Sequence, residues 1–279
     1  MKIEYQEKFI EFKEQLSSFL YRLLTNKQDV EDIIQDTYIQ VFDKIETFKN
    51  TSSYKTWVFT IALNKARNHL TKLKRWSENT QDYGANLHEQ STELWDKMVS
   101  VFETTPDKQY EVKEHLTYCF NCINKTLKTE QQICLLLKEV HNFKVHEIIK
   151  ITGLSEGKVK HAIANARKNM IRIFDNRCSF VNKKGVCHQC TTLTGQLNKK
   201  QNIEEQLNKL RLIRENNNPD KEYLLNLRIE IVKSINPLNA PNFNMHNYML
   251  SSAEKWVEMG KEKKVLETRP KSLAILSKA

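Results

Sequence analysis

The amino-acid sequence predicts an all-α protein. Its 279 residues include only 6 Gly and 5 Pro, so few positions interrupt a helix. Apolar residues recur at intervals of three and four, which is the period of a helix with one buried face. We find no run of alternating β-branched residues that would indicate a strand. A chain of this length is long enough for two small helical domains.

Shifts in composition divide the chain into four segments. Residues 1–76 are helical and periodic, and residues 77–107 are polar, with a Thr-Thr-Pro break near their end, so we interpret the latter as a linker. Helical periodicity resumes over residues 108–175, and residues 176–279 form a mostly helical extension that contains cysteines. Within this linker, helical spacing of apolar residues predicts a short docking helix. These residues are Leu94, Trp95, Met98, Val99 and Phe102.

The charge of the chain points to a polyanionic partner. The net charge is +10 and the pI is near 9.2, and nucleic acid is the most common polyanion that such proteins bind. No stretch approaches the roughly 18 apolar residues of a membrane span, so we expect a soluble, cytoplasmic protein without membrane insertion. In that compartment the 6 Cys are reduced thiols or metal ligands.

Residues 144–168 have the pattern of a helix-turn-helix. Ile148, Ile149 and Ile151 form an apolar side of a first short helix. Gly153 can adopt the left-handed conformation of the turn, and Ser155 can cap the helix that follows. That second helix carries a basic set, namely Lys158, Lys160, Arg167 and Lys168. Such a helix suits the major groove of DNA, although a helical hairpin with a solvated basic face has the same pattern.

The predicted helix from residue 29 has an apolar and an acidic face. Val30, Ile34 and Tyr38 recur at helical intervals. Asp29, Asp32 and Asp36 lie on an adjacent stripe. The residues alone favour a solvated surface, and the alternative is a docking surface for a basic protein.

A third pattern combines aromatic and basic residues. Tyr54, Trp57 and Phe59 precede a run without acids that contains Lys65, Arg67, Lys72, Lys74 and Arg75. Cations beside aromatic rings suit single-stranded nucleic acid, where phosphates meet the charge and bases stack on the rings. The alternative is that the aromatic residues are buried core and that only the basic end is exposed.

Two of these stretches together resemble a known family. Residues 29–42 (DVEDIIQDTYIQVF) and 48–68 (FKNTSSYKTWVFTIALNKARN) resemble region 2 of bacterial RNA polymerase sigma factors of the extracytoplasmic-function (ECF) type, in the sigma-70 family. Residues 127–170 resemble region 4 of the same family, and the two regions occur in the family's order with a linker between them. Two independent motifs in the right order make a chance match improbable.

The resemblance implies a sigma factor that binds core RNA polymerase and directs promoter recognition and transcription initiation. Its core-binding residues would be Asp29, Asp32, Gln35 and Asp36. The minus-ten element would be contacted by the loop at residues 48–54 and by Tyr54, Trp57, Asn64, Lys65, Arg67, Lys72, Lys74 and Arg75, with one base extruded from the duplex. The minus-thirty-five element would be contacted by Lys158, Lys160, His161 and Arg167. An anti-sigma factor is a further expected partner.

One departure from the family pattern concerns the second helix of the helix-turn-helix. Family members often carry a Ser-Arg pair where this chain has His161-Ala162. The promoter sequence therefore does not transfer from the family. Two other functions stay open: a helix-turn-helix regulator that does not initiate, and a metal- or thiol-responsive sensor.

The cysteines allow a zinc site. Cys187-His188-Gln189-Cys190 follows Cys178, and a second Cys-x-x-Cys step joins Cys119 and Cys122. Zn²⁺ favours four thiolate or imidazole ligands. One option uses Cys119, Cys122, Cys187 and Cys190, and the other uses Cys178, Cys187, His188 and Cys190. A reversible thiol switch has the same spacing, and helical cysteines are usually small buried residues.

The sequence contains no catalytic constellation. It has no glycine-rich phosphate loop, nucleophile elbow or His-Glu metalloprotease spacing, so we predict a non-enzyme. In the extension, residues 201–214 and 223–235 have helical periodicity, and Pro237 and Pro241 interrupt it. The extension either regulates access to polymerase or promoter, or stabilises the fold.

Overall fold

The computed structural model describes residues 2–104, 112–178 and 210–262, and these residues form helices without any strand. The all-α prediction is confirmed. The helices are α1 (Lys2–Leu24), α2 (Lys27–Asp43), α3 (Tyr54–Lys72), α4 (Thr80–Gln90), α5 (Thr92–Glu103), α6 (Val112–Asn124), α7 (Thr129–Leu135), α8 (Val145–Thr152), α9 (Glu156–Arg177), α10 (Arg211–Arg214), α11 (Lys221–Lys233) and α12 (Phe243–Glu262). In this part of the chain no helix has the length and apolarity needed to cross a membrane.

Helices α1, α2 and α3 pack on one another as the first unit. Leu16, Phe19 and Phe59 are fully buried in the core that these helices share. The local sequence fixes where two of the helices begin. The side chain of Asn26 accepts hydrogen bonds from the first amides of α2, and that of Ser53 accepts one from Thr56 N in α3.

The polar stretch that we predicted as a linker contains two helices. Helix α5 (Thr92–Glu103) confirms the predicted docking helix, and its Met98 is buried. Helix α4 (Thr80–Gln90) was not predicted, because its sequence is polar and it has a glycine at its centre. Both helices pack against α12, which lies far along the chain. Tertiary contacts therefore stabilise a helix that its own residues do not favour.

The second unit contains the predicted helix-turn-helix. Helices α8 and α9 flank Gly153, which has a φ of +73°, so the expected left-handed turn is confirmed. Ile148 and Ile151 are buried, whereas Ile149 is half-buried. Ser155 occupies the N-cap of α9 but its side chain makes no capping hydrogen bond. At the start of the preceding helix, α8, a capping hydrogen bond is present: Glu147 Oε2 accepts from Lys144 N at 2.8 Å.

The described part of the extension is helical and packs on both units. Helix α11 lies against α6 and α9, and α12 lies against α4, α5 and α6. Leu224 and Leu227 are buried, as the predicted apolar side of α11 requires. Pro237 begins a short 3₁₀ turn (Pro237–Asn239) that contacts α1. Residues 201–209 of the first predicted helix lie outside the described residues.

Two buried cations join these elements. Arg22 in α1 donates to Asn121 Oδ1 of α6 at 2.9 Å and to the carbonyl oxygens of Val232 and Ile235 at 3.1 and 3.0 Å. Burial lowers the pKa of Arg22 to about 9. Lys125, just after α6, donates to Leu23 O at 2.8 Å, and burial lowers its pKa to about 8. Each cation lies at the C-terminal end of a helix, where the helix dipole favours positive charge.

Candidate nucleic-acid and protein interfaces

The acidic residues of α2 do not all face the same way. Asp32 is exposed, and among the described residues only Gln28 of its own helix donates to it, at 3.1 Å. Asp29 and Asp36 lie toward α3, with carboxylate oxygens 3.8 Å from His69 Nδ1 and 3.6 Å from Lys65 Nζ. Asp36 keeps 66% of its side-chain surface exposed. Asp32 is therefore the carboxylate most available to a partner.

Gln35, the fourth predicted core-binding residue, lines a groove between α1 and α2 of about 620 Å³. Ile10 and Tyr38 form apolar walls of this groove, and Leu238 of the extension also lines it. Ile10 is 66% exposed, which is unusual for a large aliphatic side chain. The acidic face of α2 is thus bordered by an apolar groove that sequence analysis did not predict.

The aromatic residues at the start of α3 are largely core. Tyr54 is buried, its hydroxyl donates to Tyr5 O at 3.2 Å, and burial raises its pKa to about 12. Its ring packs against those of Tyr5 and Phe12, so it offers no free face to a base in this conformation. Trp57 is half-buried and stacks on Phe48 with ring centroids 5.0 Å apart. Of the two predicted base-contacting rings, Trp57 is therefore the accessible one.

The basic end of α3 is exposed but partly engaged. Lys65 lies beside Asp36, as described above. Arg67 donates to Asn64 Oδ1 at 2.8 Å and to Thr152 O at 2.5 Å. The remaining predicted cations of this stretch have exposed side chains, namely Lys72, Lys74 and Arg75.

The second helix of the helix-turn-helix presents part of the predicted basic set. Lys158, Lys160 and His161 are exposed near its start, and Lys160 pairs with Glu156 at 2.6 Å. Arg167 is different, because only 18% of its side chain is exposed. Its guanidinium is held by an extended network of acceptors, namely Glu139 at 3.1 Å, Glu222 at 2.6 Å and Asn226 at 2.7 Å. In this conformation Arg167 joins α9 to the extension and is not available to DNA.

The first unit and the helix-turn-helix are in direct contact. Helix α3 packs against α8, and the hydrogen bond from Arg67 to Thr152 O crosses this interface. Lys150 of α8 donates to the carbonyl oxygen of Thr51, which is in the loop at residues 48–54. Thr56 Oγ1 donates to Glu147 Oε1 at 3.2 Å. The loop predicted to contact the minus-ten element therefore lies against the helix-turn-helix.

Three of the predicted zinc ligands, Cys187, His188 and Cys190, lie outside the described residues. In the described part of the chain, no group of three or more His, Cys, Asp or Glu could hold a metal ion. Cys122 is buried near Tyr21, whereas Cys119 and Cys178 lie near Arg228. Cys119 Sγ is also 3.2 Å from His115 Nε2. The two thiols of α6 thus have different neighbours.

The sequence did not predict the residues that hold these surfaces in place. Glu222 and Asn226 bind Arg167 across 55 and 59 positions, and Lys150 binds the loop across 99. Arg22 is a single cation in the apolar run Phe-Leu-Tyr-Arg-Leu-Leu. Of these residues, only Arg22 could have been found from the sequence. A cation within an apolar helical run is expected to be buried, and a buried cation needs hydrogen-bond partners.

Two family models match the chain, and each coincides with one of the two units. Sigma-70 region 2 matches residues 9–76, which cover most of α1 together with α2 and α3. Sigma-70, region 4 matches residues 122–170, which include the helix-turn-helix. With both regions in this order, the chain belongs to the sigma-70 family of RNA polymerase sigma factors.

The curated relatives narrow the class to the ECF type. The chain is 23% identical over 164 residues to the ECF RNA polymerase sigma-E factor of Haemophilus influenzae, covering 56% of this chain and 80% of the relative. It is 26% identical over 173 residues to the RNA polymerase sigma factor YlaC of Bacillus subtilis, covering 60% and 92%.

Among solved structures, the chain is similar to the sigma factor RpoE of Bartonella quintana, crystallised with the anti-sigma factor NepR. The identity is 18% and the TM-score 0.44, over 62% of this chain and 97% of that one. Both relatives and this structure leave a large part of the chain unmatched.

Proposed function

We propose that this protein binds core RNA polymerase and directs promoter recognition and transcription initiation. The observation that carries the proposal is the presence of both sigma regions in order, with the second built on a helix-turn-helix around a left-handed Gly153. The polymerisation chemistry belongs to the partner, so the protein itself is not an enzyme. It acts where polymerase and promoter DNA are, in the cytoplasm.

The core-binding surface in this proposal is the outer face of α2. Asp32 is its central carboxylate, since it is exposed and free of the contacts that draw Asp29 and Asp36 toward α3. The neighbouring groove adds apolar surface at Ile10 and Tyr38. An exposed carboxylate beside an apolar groove suits a partner with basic and apolar side chains, because charge guides association and apolar burial supplies affinity.

The DNA-binding surfaces are the loop and basic end of α3 and the start of α9. Trp57 and the exposed cations of α3 would contact the minus-ten element, where stacking and phosphate contacts hold a melted strand. Lys158, Lys160 and His161 would contact the major groove at the minus-thirty-five element. Tyr54 would support the loop from the core, and Arg167 would contact DNA only after release from Glu222.

The test is run-off transcription with purified bacterial core polymerase on a library of promoter fragments. Wild type is compared with Asp32→Lys and with Glu230→Lys, which makes the same charge change at an exposed position of α11, outside both matched regions. Asp36→Lys is a less specific probe, because it would also place a second cation beside Lys65.

We expect transcript that depends on the protein, that is lost in Asp32→Lys and that persists in Glu230→Lys. Equal activity of all three proteins would refute the assignment of the α2 face. No transcript from wild type, with core from the native host also tried, would refute initiation. Duplex DNA binding without transcript would indicate the helix-turn-helix regulator.

The proposal divides the chain into four segments, 1–76, 77–107, 108–175 and 176–279, and includes an anti-sigma factor as a partner. We also keep Zn²⁺ binding by the cysteines around residues 178–190, which rests on their spacing. Metal analysis of the purified protein, with Cys187→Ser as the comparison, tests the zinc site; equal zinc content in both would refute it.

A further inference from the structure

A sigma factor that contacts both promoter elements must separate its two DNA-binding units. By their names, the minus-ten and minus-thirty-five elements lie about 25 base pairs apart, which is on the order of 85 Å at about 3.4 Å per base pair. In this structure α3 of the first unit and α8 of the second are joined by hydrogen bonds. This closed conformation therefore cannot occupy both elements at once.

The length of the linker decides whether the units can separate. Helices α4 and α5 have 11 and 12 residues. Helices of those lengths span only about 16 and 18 Å. The same segment, some 30 residues, would reach about 100 Å as an extended chain. Separation over the promoter distance thus requires α4 and α5 to unfold or to detach from the helices that hold them.

Helix α12 of the extension is the element that holds them. The Trp256 ring lies so close to Gly84 of α4 that a Cβ at that position would be 2.2 Å from it. His88 Nε2 is 3.1 Å from the Tyr248 hydroxyl, and its ring meets Trp256 edge-on with centroids 5.5 Å apart. At the end of α5, Asn244 Nδ2 donates to Thr104 Oγ1 at 3.2 Å. These contacts connect the extension to the linker along most of the length of α12.

The extension is also attached to both units, so α12 does not move freely with the linker. Arg22 of α1 donates to the carbonyl oxygens of Val232, in the last turn of α11, and of Ile235, just after that helix. Arg167 of α9 binds Glu222 of α11. Helices α11 and α12 therefore connect the first unit, the linker and the second unit. An extension that only stabilised one unit would not need contacts with the first unit, the linker and the second unit.

We infer that α12 keeps the linker folded and so holds the sigma factor in a closed conformation that must open before it contacts both promoter elements. This inference rests on the proposed function. Weakening the contact between α12 and the linker shifts the population toward the open conformation, and so increases transcription when the protein is limiting.

The test uses three variants of the full chain. Gly84→Ala places a methyl group against Trp256, and Tyr248→Phe removes only the hydroxyl that meets His88. Gln90→Ala is the control, because it also introduces alanine into α4 but at an exposed position. Hydrogen exchange of the amides in α4 and α5 reports release of the linker, and exchange in α2 and α9 reports that the rest stays folded.

Run-off transcription at limiting protein is then measured for each. We expect roughly fivefold more transcript for Tyr248→Phe, which is the population shift for loss of the one hydrogen bond of this hydroxyl that joins α12 to α4; its other partner, Ser252, lies on α12 itself. We expect roughly tenfold or more for Gly84→Ala. Gln90→Ala should equal wild type. If Gly84→Ala does not fold, Tyr248→Phe decides.

Transcript from wild type that does not increase in Tyr248→Phe or Gly84→Ala would overturn the inference and leave the proposed function intact. A decrease in folded variants would show that α12 is a stabilising appendage. Absence of transcript from every protein, wild type included, would overturn the proposed function itself and the inference with it. Faster exchange in α4 and α5 without more transcript also counts against it.

Discussion

The left-handed turn of the helix-turn-helix allows a well-controlled test of backbone strain. Gly153 has a φ of +73° and Gly157 lies in the first turn of α9, four positions later. For both, no heavy atom of the described chain, apart from those of the adjacent residues and of the local helix backbone, lies within 4 Å of the position that a Cβ would occupy. Substituting alanine at either position therefore neither adds nor removes a contact. The two variants differ only in the backbone conformation that alanine must adopt.

The expected energies have opposite signs. An L-residue in the left-handed region costs about 1–2 kcal/mol, and part of that is offset because alanine lowers the entropy of the unfolded chain. Gly153→Ala should therefore destabilise the protein by about 1 kcal/mol. Gly157→Ala is compatible with the helix and should stabilise it by about 0.5 kcal/mol. The two variants should then differ by roughly 1.5 kcal/mol, or about 3 °C in Tm for a chain of this size.

Thermal denaturation followed by far-ultraviolet circular dichroism measures this difference. Gly153→Asn provides a graded point, since asparagine enters the left-handed region more readily than alanine and should lose roughly half as much. Equal Tm values for Gly153→Ala and Gly157→Ala would refute the assignment of strain to φ. So would a Gly153→Asn variant that is less stable than Gly153→Ala.

Three further predictions concern buried groups. Burial, with Arg22 and Lys55 nearby, lowers the pKa of His141 to about 3. The unfolded chain takes up a proton below about pH 6.5, so stability that is complete above that pH falls by roughly 2 kcal/mol by pH 5. Urea unfolding above pH 6.5 and at pH 5 should show a smaller loss of unfolding free energy in His141→Gln than in wild type. An equal loss in the two proteins would contradict this. Gly84→Ala should cost roughly 1–3 kcal/mol alone but less in a Trp256→Leu background, and additive changes in a double-mutant cycle of Tm would count against the clash. Arg228 is buried 4.5 Å from the Phe174 ring centre, and among the described residues none hydrogen-bonds its guanidinium, so Arg228→Met should stabilise by roughly 1–3 kcal/mol; a lower Tm would contradict it.

Local sequence was sufficient to predict the elements whose determinants are local. The helix-turn-helix follows from two short amphipathic helices around one glycine, and the period of α2 separates its apolar face from its acidic one. In both cases the residues that specify the structure lie within a few turns of one another. The conformation of Gly153 confirms that reasoning at the level of a single dihedral angle.

The missed features depend on residues that are distant in sequence. Helix α4 is polar and has a central glycine, and it is packed by Trp256 from the end of the described chain. Arg67 and Arg167 were predicted from their charge and from the family resemblance, and neither can show that a carbonyl oxygen or Glu222 already binds them. Tyr54 was assigned to DNA because aromatic residues beside cations suit stacking, but its apolar ring is buried in the core.

The buried cations have a consequence for the response of the protein to salt. The Arg22 guanidinium meets an amide and two carbonyl oxygens and no carboxylate among its hydrogen-bond partners within the described chain. Dissolved ions screen exposed charges and compete for phosphates, but they do not reach dipoles inside a packed core. Concentrated salt should therefore detach this protein from DNA while leaving its helices joined at Arg22. Ionic strength and helix separation become independent variables, and one can be changed experimentally without the other.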